Sequence, residues 1–184
     1  HAQVLRLKPG ATVDELVAAV EAGGPPAALQ HSTFAGGTAL VAPGETSSAD
    51  AVVDLSAGTY ALLCFVEGPD QALHLAHGMA RAFEVEGRSE ATIPDADVEV
   101  ELAAYRFEMP GGIARNALLR ISNASEAEPH EMVVARLDDG ADAAAVVEAL
   151  EAGEAPPLTP LGGVQALPPG ATQDLQLDLE PGRY

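Results

Sequence analysis

The side chains with the most distinctive chemistry are concentrated in one stretch, residues 58–79. It contains the only cysteine of the chain, Cys64, together with His74, His77 and Met79. Thiolate, imidazole and thioether groups form the ligand set of a mononuclear copper site with a weak axial methionine. Because these donors lie on one short stretch, little chain entropy is lost in bringing them together. The stretch is therefore predicted to hold a metal ion, with copper as the candidate cofactor.

Two apolar runs predict the strands that position these side chains. Residues 60–66 form an apolar run that contains the cysteine, and residues 82–85 form a strand-like exit after the loop. Between them, the sequence Glu67-Gly68-Pro69-Asp70 predicts a turn. We expect this turn to fold the loop back and to present His74.

The chain contains an internal repeat, in which four segments recur in the same order. Residues 1–10 recur as 130–140, 16–23 as 146–153, 36–46 as 162–172, and 55–60 as 179–184. The second copy stops at the position after which the first copy continues to its cysteine. The first copy starts at the position before which the second copy has strand-like runs. We therefore predict a first unit over 1–86 that lacks its opening strands, a linker over 87–97, and a second unit over 98–184 that lacks its closing strands. The chain is expected to be a fragment of a longer tandem protein.

Each unit has the coarse pattern of a strand, a helix and further strands. A capping-box signature at 12–15 predicts a helix that ends near residue 22, and Gly153 to Pro157 stops a second helix. Strands are predicted at 4–7, 38–41, 51–55, 60–66, 82–85, 98–107, 117–123, 132–137 and 175–179. Many short strands at regular spacing favour an antiparallel β-sandwich.

The stretch around the cysteine resembles the ligand loop of cupredoxins, the small blue-copper proteins. The sequence Gly58-Thr59-Tyr60-Ala61-Leu62-Leu63-Cys64 is similar to the strand that ends at the cysteine ligand, and His74 and Met79 keep the family's H-x4-M spacing. Cys64 and His74 are ten positions apart, which is more than the family usually has. The resemblance implies an all-β, cupredoxin-like Greek-key β-sandwich, here with one short helix inserted per repeat. It also implies a type 1 copper site for electron transfer or copper handling.

The resemblance further implies a histidine ligand from an earlier strand. In the second copy, Asn123 followed by Pro129 and His130 matches that pattern, and His1 occupies the aligned position in the first copy. The implied metal ligands are His1, Cys64, His74 and Met79. His77 is the substitute if the loop leaves His74 out of reach, and His130 is the ligand retained by the incomplete second copy. Each also has an ordinary structural interpretation, such as a buried thiol, an exposed loop histidine or a core methionine.

The composition limits the partners. The formal net charge is −19 with a single lysine, which argues against nucleic acid and anionic membrane surfaces. No apolar run approaches the length of a membrane-spanning helix, so membrane insertion is not expected. The resemblance implies a redox partner protein and an extracytoplasmic location, whether periplasmic, secreted or at the cell surface. The oligomeric state is left open.

Two other functions stay open beside the copper site. The same fold without copper would serve as a structural or ligand-binding module of a longer exported protein, because a fold does not settle a function. An oxidative enzyme that holds copper through an N-terminal histidine, as lytic polysaccharide monooxygenases do, is disfavoured because His1 aligns with the internal His130. No phosphate loop, Ser-His-Asp set or paired-carboxylate motif stands out, so the protein is predicted not to be an enzyme.

Overall fold

The chain folds into two β-sheets and two α-helices in a computed structural model that describes residues 1–40, 50–53 (backbone only), 55–87 and 94–184. The strands are β1 (Ala2–Leu7), β2 (Ser32–Thr38), β3 (Asp50–Val53), β4 (Gly58–Leu63), β5 (Ala80–Val85), β6 (Val98–Ala103), β7 (Arg106–Glu108), β8 (Leu118–Asn123), β9 (His130–Leu137), β10 (Leu158–Leu167) and β11 (Thr172–Gln176). The α-helices are α1 (Val13–Gly23) and α2 (Ala143–Ala152), and 3₁₀ helices cover Pro25–Gln30 and His74–His77. Within the described ranges, no helix combines the length and apolar character needed to cross a bilayer.

The larger sheet has the strand order β5-β4-β1-β2-β10-β9, and the smaller has the order β3-β11-β8-β6-β7. Apolar side chains of both sheets pack together, for example Val100 and Ile121 of the smaller sheet with Val164 of the larger. The mostly-β, two-sheet architecture agrees with the predicted fold at this coarse level. Strands of the two predicted repeats share both sheets, since β2 pairs with β10 and β3 pairs with β11. The division at 87–97 stays a prediction, and residues 88–93 of that linker lie outside the described residues.

The helix signals in the sequence correspond to local hydrogen bonds. The Thr12 side chain accepts from the backbone N–H of Glu15, and the Glu15 carboxylate accepts from the backbone N–H of Thr12. This reciprocal capping box begins α1 as predicted. Leu16 and Val20 of α1 are buried against β1 and β4, so the helix covers the end of the larger sheet that carries the cysteine.

Several strand predictions differ from the structure. The strand predicted at 60–66 ends at Leu63, before the cysteine, and the one predicted at 175–179 lies at Thr172–Gln176. The run 98–107 is broken into β6 and β7, because Tyr105 adopts a positive φ of 61° that turns the chain. The predicted strand at 38–41 lies instead at Ser32–Thr38, and residues 41–49 lie outside the described part of the chain. The pairing is not wholly antiparallel either, since β6 and β8 run parallel to each other.

Strand β10 was not predicted, because Pro160, Gly162 and Gly163 suggest a loop rather than a strand. In the structure, Pro160 lies at an irregularity in the pairing of β10 with β9, where proline is tolerated. A Cβ atom on Gly163 would lie 2.0 Å from the carbonyl oxygen of Met132, and one on Gly37 would lie 2.1 Å from that of Ala2. Glycine is therefore required at both positions for neighbouring strands to approach.

Candidate metal centre

Cys64 follows the last residue of β4 and is held by the chain on both sides. Its backbone N–H donates to the carbonyl oxygen of Met79 over 3.1 Å, and its own carbonyl oxygen accepts from the N–H of Leu75 over 3.0 Å. The residue is only 2% exposed. The thiol is therefore shielded from water and fixed at the point where the loop returns to the sheet.

The loop after the cysteine folds back on itself, as the turn at 67–70 predicted. Glu67 and Leu73 form an isolated antiparallel bridge, and the N–H of Gly68 donates to the carbonyl oxygen of Ala72 over 2.7 Å. The N–H of His74 then donates to the carbonyl oxygen of Val66 over 2.8 Å. The long separation in sequence is thus closed by a small hairpin, which returns the chain to the cysteine.

Leu75 anchors the returning chain. Its side chain is 2% exposed and packs in the cluster that contains Leu5, Leu16 and Leu63. The short helix His74–His77 ends at Gly78, which adopts a left-handed φ of 96°. This packing holds the backbone on which His74 is carried.

His1 reaches the same thiol from the neighbouring strand. In the register of β1 on β4, Gln3 lies opposite Leu63, so the residues before Gln3 run past the end of β4. The His1 ring lies 6.1 Å from the ring of Phe65 between centroids. Strand register therefore places the His1 imidazole beside the cysteine.

The two imidazoles approach one sulfur atom at nearly equal distances. The Cys64 Sγ lies 3.5 Å from Nδ1 of His74 and 3.6 Å from Nδ1 of His1. A thiol carries one proton and can donate it to only one of these nitrogens, so the other nitrogen can bond to sulfur only by donating its own proton. The three side chains form a small polar group around a buried sulfur.

These distances can be compared with those expected across a shared metal ion. With bond lengths of about 2.3 Å to sulfur and about 2.0 Å to nitrogen, and an angle between tetrahedral and trigonal, the sulfur and nitrogen lie ~3.5–3.7 Å apart. Both observed distances agree with this range to within about 0.1 Å. Among the described residues, however, no group of three or more His, Cys, Asp or Glu side chains is drawn together as a ready metal cluster. The contact of Cys64 with His1 and its contact with His74 have only the sulfur atom in common.

The other predicted ligands lie in different surroundings. Met79 is close to the site through its backbone, but its side chain is 52% exposed. His77 Nε2 lies 2.9 Å from Oδ2 of Asp70 in an exposed pair on the outside of the loop. His130 lies at the start of β9 with a buried Nε2 that has no hydrogen-bond partner among the described residues.

Sequence reasoning missed Leu75 as a residue that shapes the loop, whereas Asp70 belongs to the turn predicted at 67–70. The Asp70 carboxylate accepts from the N–H of Ala72 over 3.2 Å, which forms an Asx-type turn within the loop. This hydrogen bond, and secondarily the nearby His77, lower the pKa of Asp70 despite an opposing effect of desolvation. Leu75 carries no such signal, because burial of one leucine in a loop depends on the fold around it.

Comparison of the chain with protein-family models, with curated proteins and with solved structures gave no match.

Proposed function

We propose that this protein binds one copper ion through His1, Cys64 and His74 in a type 1 site that serves electron transfer or copper handling. The observation that carries the proposal is the buried Cys64 sulfur with an imidazole Nδ1 at 3.5 Å and another at 3.6 Å. Two histidines and a cysteine in near-trigonal arrangement are the donor set of blue-copper centres. The cupredoxin-like Greek key and the extracytoplasmic location implied by the resemblance belong to the same proposal.

The protein would contribute positioning and exclusion of water, while the copper would supply a one-electron couple. The register of β1 on β4 holds His1, and the hairpin with its Leu75 anchor holds His74. Because both supports are packed or hydrogen-bonded, the donors would move little between two oxidation states of the ion. Binding would release the thiol proton to solvent, since the thiolate is the form that binds metal. A redox partner would carry a positive surface complementary to the net charge of −19.

Met79 would supply a fourth and weaker donor, its thioether sulfur. Its N–H donates to the carbonyl oxygen of His74, and its carbonyl oxygen accepts from Cys64, so its backbone is fixed next to the two loop donors. The exposed side chain would have to turn inward to reach the ion. A methionine in this position would tune the potential more than the affinity.

A second function is favoured by a specific observation, the lack of a preformed three-residue cluster among the described residues. On this alternative the domain is a copper-free structural or ligand-binding module. The contacts of Cys64 with the two imidazoles would then be hydrogen bonds that satisfy a buried thiol.

Titration with Cu(II), followed by visible absorption, separates the two functions. The copper site predicts one equivalent bound and an intense thiolate-to-copper band. Cys64→Ser is expected to abolish the band and His74→Ala to weaken binding strongly.

His77→Ala is the matched control, because it removes a histidine three residues away that is paired with Asp70 on the outside of the loop. It is expected to leave both the band and the stoichiometry unchanged. Absence of stoichiometric binding, or a band that survives Cys64→Ser, would refute the copper site and leave the structural module.

A further inference from the structure

Strand β9 is the outer strand of the larger sheet, with β10 on its inner side. Just after β9, the N–H of Asp138 donates to the carbonyl oxygen of Pro157, on the side of β9 that faces β10. The N–H of Leu137 donates to the carbonyl oxygen of Arg183, on the side of β9 that faces away from β10. Because backbone groups alternate in direction along a strand, those of Ala135, Val133 and Glu131 face the open side. No strand of the described residues pairs with that side.

The last residues of the sequence already begin a pairing with this edge. The carbonyl oxygen of Arg183 accepts from Leu137 over 3.0 Å, and a Cβ atom on Gly182 would lie 3.5 Å from Nε of Arg136. The hydroxyl of Tyr184 donates to the carbonyl oxygen four residues earlier, at Glu180. The chain thus reaches the edge in a fixed orientation at one end of β9.

Equivalent contacts of a glycine and a tyrosine occur beside β1, where the chain continues from them as the complete strand β4. A Cβ atom on Gly58 would lie 3.3 Å from Nε of Arg6, and the hydroxyl of Tyr60 donates to the carbonyl oxygen of Ser56 over 2.7 Å. From there β4 continues antiparallel along β1, from Tyr60 opposite Arg6 to Leu63 opposite Gln3.

The far end of β9 has an unsatisfied group. His130 Nε2 is buried and lacks a hydrogen-bond partner among the described residues. His130 also lines a cleft of about 660 Å³, together with Tyr105, Phe107 and Glu128. A strand added along β9 from Tyr184 would run toward this end. In the register set by Arg183 and Leu137, its fourth residue would lie opposite Met132 and its sixth opposite His130.

We propose that the open edge of β9 is an acceptor site for one extended apolar strand, which pairs antiparallel with β9 and ends beside His130. The occupant has small or apolar residues at the positions facing the sheet interior, as Ala61 and Leu63 of β4 do. Addition of a strand to an exposed edge gains main-chain hydrogen bonds without refolding the acceptor. The proposal is independent of the proposed copper site, which lies beside the ends of β1 and β4.

The test uses the chain extended after Tyr184 by the sequence Ala-Leu-Leu-Ser-Phe-Val, which copies residues 61–66 with serine in place of Cys64. Attachment in cis gives a high effective concentration of the added strand. Amide hydrogen exchange at Val133 and Ala135 is expected to slow by about tenfold or more relative to the unextended chain, because each amide gains a hydrogen bond.

Two controls make the outcome specific. A tail of equal length with proline at its first and third positions, whose N–H groups would face β9, cannot donate to the ladder and should give no protection. In the extended chain, Val133→Pro should remove the protection at Ala135. In the unextended chain it should cost little, because proline is tolerated where the N–H faces away from the sheet.

Equal exchange with the two tails, or no slowing with either, would overturn the proposal. Protection of the same amides in the unextended chain that grows with protein concentration, together with a dimer in sedimentation, would also overturn it. In that case the occupant is a second copy of the chain.

Discussion

Replacement of Leu75 by alanine tests whether a single buried side chain holds the loop against the cysteine. Leu75 packs against Leu5, Leu16 and Leu63, and the residue before it is His74. Removing its side chain beyond Cβ takes away the apolar anchor but leaves the hairpin hydrogen bonds of the loop in place. The expected effect is a loop that opens more readily over Cys64.

The magnitude follows from the burial of Leu75. A leucine that is 2% exposed typically costs about 2–5 kcal/mol when truncated to alanine, and the lower part of that range applies where the surroundings can relax. Taking ~2–3 kcal/mol for the loop, the population of the open form rises by about 30- to 140-fold, since each ~1.4 kcal/mol is a factor of ten.

The assay is the rate at which a thiol reagent labels Cys64 in the metal-free protein. The thiol is buried, so labelling requires opening and its rate follows the population of the open form when closing is fast. This readout does not depend on copper. A urea unfolding curve of the same variant shows how much of the cost falls on the whole domain.

Leu62→Ala is the matched control, because Leu62 is 40% exposed on β4 and adjacent to the buried Leu63. Its truncation is expected to cost about 1 kcal/mol or less and to change the labelling rate little. If Leu75→Ala labels no faster than Leu62→Ala, Leu75 does not anchor the loop and the account of how His74 is positioned is wrong.

Three further predictions concern polar groups that fix the sheets and the loop. The buried side-chain amide of Gln173 bonds to both the N–H and the carbonyl oxygen of Gly37, so Gln173→Leu should destabilise the fold by about 2–5 kcal/mol in urea unfolding, because two backbone groups lose their partners. Asp174 is 3% exposed in its side chain and bonds to Arg120 through both oxygens, so Asp174→Ala should cost about 3–5 kcal/mol by the same measurement. The pKa of Asp70 is lowered in the folded state, so its contribution to loop stability should be complete above the ordinary aspartate pKa and should disappear as pH falls through the lowered folded value. An NMR titration of the Asp70 carboxyl group should show the lowered pKa.

The predictions for Gln173 and Asp174 each have a control elsewhere in the chain. Gln176 makes an exposed hydrogen bond to Asn116, so Gln176→Leu should cost far less than the change at Gln173. The half-exposed pair of Arg115 and Asp178 should contribute far less than the pair of Arg120 and Asp174, because solvent screens it. Equal costs within either comparison would show that burial does not set these energies.

His77→Ala is the control for the Asp70 titration. It should leave most of the lowering of the pKa in place, because the N–H of Ala72 is the main cause. A return of the Asp70 pKa to its ordinary value in that variant would contradict this assignment.

Local signals in the sequence predicted the elements whose causes are local. The capping box of Thr12 and Glu15 depends on residues three apart, and the turn at 67–70 depends on proline, glycine and aspartate in succession. The apolar alternation of β1, β4 and β8 predicted those strands to within a few residues. The strand β10 was not predicted, because glycine and proline are depleted in strands, whereas Gly163 is required there by the close approach of β9.

The sequence by itself determined which chemistry is present: one thiol, two nearby loop histidines and a methionine, carried by short strands and a tight turn. Only the tertiary structure decided which of these groups meet. The register of β1 on β4 placed His1 at the thiol, the burial of Leu75 returned His74 to it, and the exposed pair with Asp70 kept His77 outside. The physical reason is that these choices depend on contacts between residues far apart in the chain, which composition and spacing do not encode.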